Sequence, residues 1–501
     1  MNKSSPLLLL LGLSVSGCSL MPDYMRPGLP VERTFQTRTE NMVSPVLDWQ
    51  AFFLDPALRQ LIRLALDNNR DLRSAALNVE AYQAQYRVAR SDLFPKFGLT
   101  GVESRRRIPA GTTGGMSGSG NMTTGGTSGT SSAYTGTGSS GSSAVITSWY
   151  AVSTDVSWEL DLFGRINSLR TQALEQFFAS EAARRGVQIS LVASVANAWL
   201  TWQADQARLE LSRDTLKTYE ETLRLTQTSF EVGNTSALEV RQAQTSVDST
   251  RAVLETYARA VLQDRNALVL LAGRQLPEEL VPKGKPEDHQ LAGFPVGMVS
   301  DLLLQRPDIM EAEFRLKAAN ANIGAARAAF FPKVALTASG GTAGGSISDL
   351  FTAGSGYWSF IPSITVPIFR AGELMGNLDY AKISKDMQVA SYEKAIQTAF
   401  REVNDGLAAR TTYRRQVAAQ HDLVDTTQDY YRLADLRYQT GIDSYLTFLD
   451  AQRQLFSARQ QLISDQLNQQ ITEVNLFKAL GGGWQDAVAA GNSSSPAAAA
   501  P

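Results

Sequence analysis

The two halves of the chain have similar sequences, and this duplication constrains the fold more than any other feature. The segment from Asp71 to Lys96 returns in similar form from Asp308 to Lys333. A second pair of similar segments is centred on Gly233 and Gly441, in the same order along the chain. Such a duplication predicts an internal two-fold repeat, that is, two units of one plan joined by a linker.

Each unit is predicted to contain a helix, a β-hairpin, a long helix and a further helix. Proline is absent from residues 110–276 and 368–495, which are rich in good helix formers. In repeat 1, residues 58–271, the predicted elements are a helix over 58–93, a hairpin over 96–162 with a Gly/Ser/Thr-rich loop over 104–148, and helices over 165–232 and 236–271. In repeat 2, residues 301–480, they are a helix over 301–329, a hairpin over 333–369, and helices over 372–439 and 445–480.

The helix over 236–271 carries the pattern of a coiled coil. Ten side chains follow one another at alternating spacings of three and four residues, which is a heptad seam. They are Val240, Ala243, Val247, Thr250, Leu254, Tyr257, Val261, Asp264, Leu268 and Leu271. A soluble helical bundle would show the same seam, so the helices alone do not decide the class of protein.

The amino terminus predicts secretion and a lipid anchor. Lys3 and the apolar run over 6–15 are typical of a signal peptide, here residues 1–17. Cys18 is the only cysteine and follows this run after Ser16 and Gly17, in a pattern that resembles the bacterial lipobox. We therefore expect Cys18 to carry covalent lipid, palmitate included, and Ser19 to favour sorting to the outer membrane. An ordinary signal peptide with an incidental cysteine is the alternative.

Net charge and hydropathy limit the remaining classes. The formal net charge is −2 and the basic residues are dispersed, so the sequence does not indicate a nucleic-acid partner. No later stretch has the roughly 18 consecutive apolar residues of a spanning helix. If the chain crosses a membrane, it must do so with strands.

Two segments show the alternation of a membrane strand. Apolar or amphipathic side chains occupy every second position from Val152 to Leu162 and from Trp358 to Ile368. A strand with lipid on one side and water on the other needs this pattern, although a half-buried strand of a soluble sheet also shows it. Two hairpins give four strands, too few to close a barrel, so we expect an oligomer. The strand count does not choose three chains over two or four.

Four motifs together resemble those of the TolC-type outer-membrane factors, in particular the OprM-like efflux lipoprotein branch. They are Cys18 to Pro27, Ser157 to Arg165, Leu304 to Asp308 and Leu480 to Trp484. The resemblance implies an α+β membrane protein: a trimer whose 12-stranded β-barrel, four strands per chain, continues as a long α-helical coiled-coil barrel. It also implies a mixed equatorial region, formed by the lipidated segment 18–57, the linker 272–300 and the carboxyl-terminal segment 481–501.

The resemblance implies a function as well. A member of this branch is the outer-membrane exit channel of a tripartite multidrug efflux pump, lipid-anchored and inserted in the outer membrane with its helical tunnel in the periplasm. Its implied partners are a periplasmic membrane-fusion adaptor and a proton-driven inner-membrane transporter of the resistance-nodulation-division class. Apart from the lipid on Cys18 no cofactor or metal is expected.

The family's periplasmic gate maps onto five residues. Leu446, Asp450 and Arg453 are spaced by four and three residues and so share one helical face. By resemblance this face lines the constriction, Tyr438 bonds across the tip and Glu239 belongs to the same latch. Gly233 and Gly441 mark the helix breaks at which a hinge is expected. Some members carry a basic latch residue at the position where this chain has Asp443, so the chain departs from their latch pattern there.

Other functions remain open at this point. We do not expect an enzyme, because the two histidines, His289 and His421, lie in unrelated contexts and no catalytic cluster is legible. A structural lipoprotein that spans the periplasm would explain the anchor and the helices but not the duplicated hairpins. The same duct could also serve type I protein secretion or metal export.

Overall fold

The structure is a computed structural model that describes residues 19–31, 48–108, 145–281, 291–292 and 305–482. Several expectations fall outside these residues. They are the signal peptide over 1–17, the lipidated Cys18, the part of the Gly/Ser/Thr-rich loop over 109–144, His289, and most of the linker and of the carboxyl-terminal segment.

Eight α-helices are found in the described part of the chain. They are α1 Trp49–Phe52, α2 Pro56–Asn68, α3 Arg70–Ser91, α4 Arg165–Glu231, α5 Ala237–Ala272, α6 Pro307–Ala328, α7 Glu373–Gln439 and α8 Tyr445–Ala479. Helices α4 and α7 each run for 67 residues. None of the helices that the structure describes is both long enough and apolar enough to cross a membrane.

Four strands form a single antiparallel sheet. They are β1 Lys96–Ile108, β2 Val145–Leu160, β3 Lys333–Gly344 and β4 Gly356–Thr365, and each pairs with the next in chain order. The β2–β3 ladder joins the hairpin of the first half to that of the second. Strands β1 and β4 each pair on one side only, so the sheet of one chain has two open edges.

The register sorts the side chains of the sheet into two chemically different faces. Directly paired residues point to the same face, and the face alternates along a strand. One face carries mainly apolar side chains, among them Phe97, Leu99, Val152, Val156, Trp158, Leu336, Phe360 and Ile364. The opposite face carries Asp155, Ser339 and Ser359, and the last two are joined by a hydrogen bond of 2.7 Å. Four members of the apolar face, Phe97, Leu99, Trp358 and Ile364, are at least 69% exposed.

The helix predicted over 58–93 is wrong as one element, because it is broken at Asn69. This residue has an extended backbone (ψ 134°), and its side chain accepts a hydrogen bond from the backbone N–H of Leu72 at 2.9 Å. Its amide nitrogen donates to the carbonyl oxygen of Leu271 at the end of α5, also at 2.9 Å. The side chain therefore caps α3 and ties the break to a neighbouring helix.

The loop predicted over 104–148 is too long at both ends. Strand β1 continues to Ile108 and β2 begins at Val145, and these two residues are partners in the ladder. Backbone pairing does not require apolar side chains, so Arg105, Arg106 and Arg107 extend the strand although their composition suggests a loop. In the second half, β4 ends at Thr365, two residues before Pro367, which lacks an N–H to donate.

The compact units of the structure do not coincide with the sequence repeats. Within the described residues, one unit takes most of its chain from Arg87–Thr171 and Ala321–Ala381 and contains the sheet. The other unit takes Asp23–Tyr86, Gln172–Asn320 and the chain from Lys382 onward, and it contains most of each long helix. Each unit combines both halves because strands pair with strands and long helices pack on long helices.

The main core lies in the second of these units. It includes Trp49, Phe53, Trp199, Tyr392 and Phe477, all at most 2% exposed. The rings of Phe52 and Phe477 stack with centroids 4.3 Å apart. Helix α1 and the buried face of α2 are thereby packed on the long helices.

The segment after Pro22 is fastened to helix α6 in the same unit. Arg26 makes a bidentate ion pair with Glu313, with Nη2 2.8 Å from Oε2 and Nε 3.1 Å from Oε1. The Glu313 side chain is 8% exposed and also accepts from the hydroxyl of Tyr24 at 3.3 Å. This charged contact holds an extended segment that has no secondary structure of its own.

Candidate functional site at the helix turns

The two turns between long helices have the same construction. Gly233 and Gly441 adopt φ values of +83° and +73°, in the left-handed region. Each donates its N–H to the carbonyl three residues earlier, and the following residue donates to the carbonyl five residues earlier. This is the Schellman pattern, which satisfies the last carbonyls of α4 and α7.

A serine starts the next helix after each turn. The hydroxyl oxygen of Ser236 accepts from the backbone N–H of Glu239 at 3.3 Å, and that of Ser444 accepts from Thr447 at 3.4 Å. These are N-caps of α5 and α8, and they satisfy N–H groups that the helices leave free. Both turns are therefore held by local hydrogen bonds, and the sequence encodes this in a glycine followed three residues later by a serine.

Aromatic side chains pack together below the turn of α7 and α8. Tyr438 stacks on Phe448, with centroids 5.3 Å apart and planes 13° apart, and it meets Tyr445 edge-on at 5.6 Å. The ring centroid of Tyr431 lies 5.8 Å from that of Phe448. The cluster is closed by Ala243 of α5 and Leu449, both 2% exposed. We call this group of side chains the aromatic cluster; its members are Tyr431, Tyr438, Tyr445, Phe448, Ala243 and Leu449.

Two residues assigned to the latch, Tyr438 in this cluster and Glu239 on the other helix pair, influence each other. Leu223 of α4 packs on the same buried residues as Tyr438. Glu239, in the first turn of α5, accepts a hydrogen bond from the hydroxyl of Thr235. Burial raises the pKa of the Tyr438 phenol, and the negative charge of Glu239 raises this pKa further. The charge of Glu239 thus acts on Tyr438 within one chain, and the role of both residues in a latch stays a prediction.

Asp443 has a partner in its own turn. Arg437 donates from Nε to Asp443 Oδ2 at 2.6 Å and from Nη2 to Oδ1 at 2.9 Å. The hydrogen bonds and charge of Arg437 hold the pKa of the Asp443 carboxyl below its ordinary value. The acidic residue at this position therefore joins the end of α7 to the start of α8.

The three residues predicted to line the constriction lie on the exposed side of α8. Leu446 is 60% exposed, whereas its neighbours Tyr445 and Phe448 are 3% and 4% exposed. Asp450 is exposed and accepts from the side-chain amide of Gln454 at 2.7 Å. The described structure shows no ion pair between Asp450 and Arg453, so the predicted latch has no salt bridge within one chain.

The positive charge of Arg453 instead acts on two tyrosines of the site. Burial raises the pKa of Tyr219 to about 12 and that of Tyr445 to about 12, and the positive charge of Arg453 opposes both shifts. Tyr219 belongs to α4, so the charge of Arg453 on α8 acts on both helix pairs. In the part of the chain that the structure describes, no group of three His, Cys, Asp or Glu side chains is placed to hold a metal ion.

Sequence reasoning missed the aromatic cluster and Arg437. The cluster leaves a signal, because Tyr431, Tyr438 and Tyr445 recur every seven residues and Phe448 follows by three. Tyr431 and Tyr438 therefore share a face of α7, and Tyr445 and Phe448 share a face of α8, but spacing does not show that these two faces meet across the turn. Arg437 lies six residues before Asp443 across a turn, a distance at which helical spacing rules do not apply.

Comparison with known proteins identifies the family. The family model described as outer membrane efflux protein matches residues 61–274 and 298–482. A relative in Pseudomonas putida, named probable efflux pump outer membrane protein TtgC, is 52% identical over 494 residues, which is 97% of each chain. Outer membrane protein OprJ of Pseudomonas aeruginosa is 40% identical over 483 residues, or 95% of each chain.

A solved structure shares the fold. The open state of the MtrE outer membrane channel of Neisseria gonorrhoeae aligns with a TM-score of 0.79 at 37% identity, over 93% of this chain and 99% of that one. Its title describes a channel, and both relatives are outer membrane proteins by name. This chain belongs to the outer membrane efflux protein family and is an outer-membrane channel of an efflux pump.

Proposed function

We propose that the chain is the exit channel of a tripartite multidrug efflux pump, which it forms as a homotrimer with a gated periplasmic end. The relatives are named as outer-membrane components of antibiotic, toluene and solvent efflux pumps. One observation carries the proposal. Beside the turn at Gly441, the side chains of Leu446, Asp450 and Arg453 form an exposed row on α8, on the side opposite the buried aromatic cluster.

The open sheet supports the trimeric barrel. One chain leaves two unpaired edges, at β1 and β4, and edges in lipid would leave backbone groups without partners. Three chains joined edge to edge supply 12 strands, enough to close a barrel with an aqueous interior. The apolar face, with Phe97, Leu99 and Trp358, would meet lipid, and the face with Asp155 and Ser339 would line the bore.

The exposed row supports the gate. A duct that is open at both ends would leak, so its periplasmic end must close when no pump is attached. In a trimer, the rows of three chains would meet near the axis, with Leu446 as an apolar ring, Asp450 as an anionic ring and Arg453 as the partner between helices. Opening would swing α7 and α8 outward, with Gly441 and Gly233 as the points of bending.

The proposed partners and anchor follow from the family. A periplasmic membrane-fusion adaptor would link the channel to an inner-membrane transporter of the resistance-nodulation-division class, which supplies the energy from the proton gradient. Lipid on Cys18 would hold the mature amino terminus in the outer membrane. The contact of Arg26 with Glu313 supports this, since it gives the anchored segment a fixed path along α6.

Deletion of the gene tests the proposal against its alternatives. We expect minimum inhibitory concentrations of several unrelated drugs to fall in the deletion strain and to return on complementation. Loss of a secreted protein without a change in drug sensitivity would indicate type I secretion. Sensitivity to one metal alone would indicate metal export. Unchanged export of every kind, with an altered envelope, would favour a structural lipoprotein.

A further inference from the structure

Two carboxyl groups face each other between helices α4 and α5, away from the turns. Asp205 of α4 is 8% exposed, and Asp264 of α5 is partly buried at a position of the heptad seam whose neighbours Val261 and Leu268 are apolar. The ion pair of Glu220 on α4 with Arg251 on α5, 2.7 Å apart, sets the register of these two antiparallel helices and places residues 205 and 264 at the same level. Burial, the negative charge of Asp205 and a hydrogen bond with Asp205 raise the pKa of the Asp264 carboxyl. Two carboxylates accept hydrogen bonds only, so this contact is favourable only when one of them carries a proton.

In the described structure, the guanidinium of Arg208 pairs with one of these two carboxyls. Arg208, one turn after Asp205 on α4, places Nη1 2.5 Å from Asp205 Oδ1 and Nη2 2.9 Å from the hydroxyl oxygen of Ser464 on α8. Asp264 Oδ2 is buried without a hydrogen-bond partner in the described structure. Arg208 thus compensates Asp205, and the second negative charge is left without an opposite charge.

We infer that Asp205 and Asp264 share one proton and form a pH-sensitive fastening between α4 and α5. With the proton, the carboxyl of Asp264 donates to Asp205, and α4, α5 and α8 are joined through Asp264, Asp205, Arg208 and Ser464. Without it, two negative charges repel across the seam and the α4–α5 hairpin is loosened. The proton comes from solvent, and no other bond changes.

The direction of the Asp264 pKa shift agrees with a proton held at the pair. Burial raises the pKa of Asp264 to about 6, the charge of Asp205 adds to this rise, and Arg208 opposes it. Within the described residues, Asp205 and Arg208, both on α4, are the charged groups that act on Asp264, while the α8 group at the pair, Ser464, is neutral. Because the folded pKa lies above the unfolded value, the stabilisation is present at low pH and is lost as pH rises through about 6.

The carboxyl pair occurs in the helical hairpin α4–α5 and has no counterpart in the helical hairpin α7–α8. Matching the turns at Gly233 and Gly441 places Tyr413 and Thr472 of the α7–α8 hairpin at the positions of Asp205 and Asp264. Neither side chain is a carboxylic acid. A rise in pH should therefore loosen the first hairpin and leave the second unchanged, so the two hairpins respond differently to the medium.

Hydrogen exchange of the purified full chain, in detergent, tests the inference. We expect local opening near residues 200–210 and 258–268, corrected for the intrinsic pH dependence, to rise severalfold between about pH 5 and pH 7.5. A pKa of about 4 in the unfolded chain and about 6 in the folded chain would give roughly tenfold without solvent screening. Asp264→Asn should remove this rise. Asp248→Asn, an exposed residue of the same helix, is the matched control and should keep it. A flat wild-type profile, or an unchanged profile in Asp264→Asn, would overturn the inference.

Infrared spectroscopy gives a second readout that does not depend on a variant's folding. Wild-type protein at about pH 5 should show a carbonyl band of a protonated buried carboxyl, which disappears with a midpoint near pH 6 and shifts in deuterium oxide. The band should be absent in Asp264→Asn and present in Asp248→Asn. Wild-type protein without this band would contradict the shared proton. Neither readout uses conductance, so the result stands apart from the proposed gate.

Discussion

Tyr438 of α7 stacks almost parallel on Phe448 of α8, with ring centroids 5.3 Å apart. The stack lies directly below the turn at Gly441, and Leu223 of α4 and Ala243 of α5 pack in the same cluster. The cluster therefore couples the α7–α8 turn to the other helix pair. Any outward swing of this turn must break these apolar contacts or carry α4 and α5 along.

Phe448→Ala should loosen this coupling. Removal of a ring that is 4% exposed leaves a cavity, at a cost of about 3 kcal/mol in local stability. We expect faster hydrogen exchange over residues 431–449, while exchange in the main core around Trp199 stays unchanged. Phe448→Leu conserves most of the volume and should cost about half as much. Equal exchange in all three proteins would show that the stack does not hold the turn.

The stability cost of substitutions at Gly441 should depend on its left-handed backbone conformation. A Cβ at this position would meet no atom within 4 Å, so the only cost of Gly441→Ala is the positive φ, about 1 kcal/mol. Gly441→Asn should cost less, since asparagine tolerates the left-handed region. Gly376→Ala is the control, because this glycine is helical with the same open space and alanine should stabilise it. Local exchange around the turn measures the first two effects, and a stabilising Gly441→Ala would refute the cap.

Asp443→Asn should weaken the turn in a pH-dependent way. Arg437 lowers the folded pKa of Asp443, so the ion pair stabilises the turn above the unfolded pKa of about 4 and is lost as pH falls through the lower folded value. The variant should show faster exchange at residues 436–446 at neutral pH and match the wild type in strong acid. Asp425→Asn, an exposed acid of α7, should match the wild type throughout. A difference that persists in acid would rule out the ion pair as the cause.

Arg26→Ala should release the segment that follows Pro22. The variant leaves Glu313, which is 8% exposed, with Lys317 at 3.4 Å as its remaining cation. We expect a loss of about 1 kcal/mol after solvent screening and faster proteolysis within residues 23–31. Arg26→Lys keeps the charge but not the bidentate geometry and should be intermediate. If Arg26→Ala resists protease as the wild type does, the apolar contacts of this segment suffice to hold it.

The sequence predicts the long elements well because their signals are local. The helix expected over 165–232 is found over Arg165–Glu231, and the alternation from Val152 and from Trp358 identifies one face of the sheet. Proline-free runs and period-two patterns arise from backbone geometry that each segment carries by itself.

The features that depend on distant contacts could not be predicted in the same way. Asn69 breaks a helical pattern because it bonds to Leu271, about 200 positions later. Alternation along β2 indicates a face but not a partner, so the β2–β3 ladder was not evident. Arg437 and Asp443 meet only because a turn brings them together. The row of Leu446, Asp450 and Arg453 was predicted to share a face, and its role in a gate stays a prediction.

Single-channel conductance in planar bilayers tests the gate most directly. The purified wild-type channel should show low conductance with rare openings, because three copies of the row close its end. Asp450→Ala removes the anionic ring and should raise the mean conductance severalfold, whereas Asp425→Ala, which changes an exposed acid of α7 outside the row, should leave it at the wild-type level. Equal conductance in all three proteins, together with unchanged antibiotic entry, would contradict a gate at Asp450.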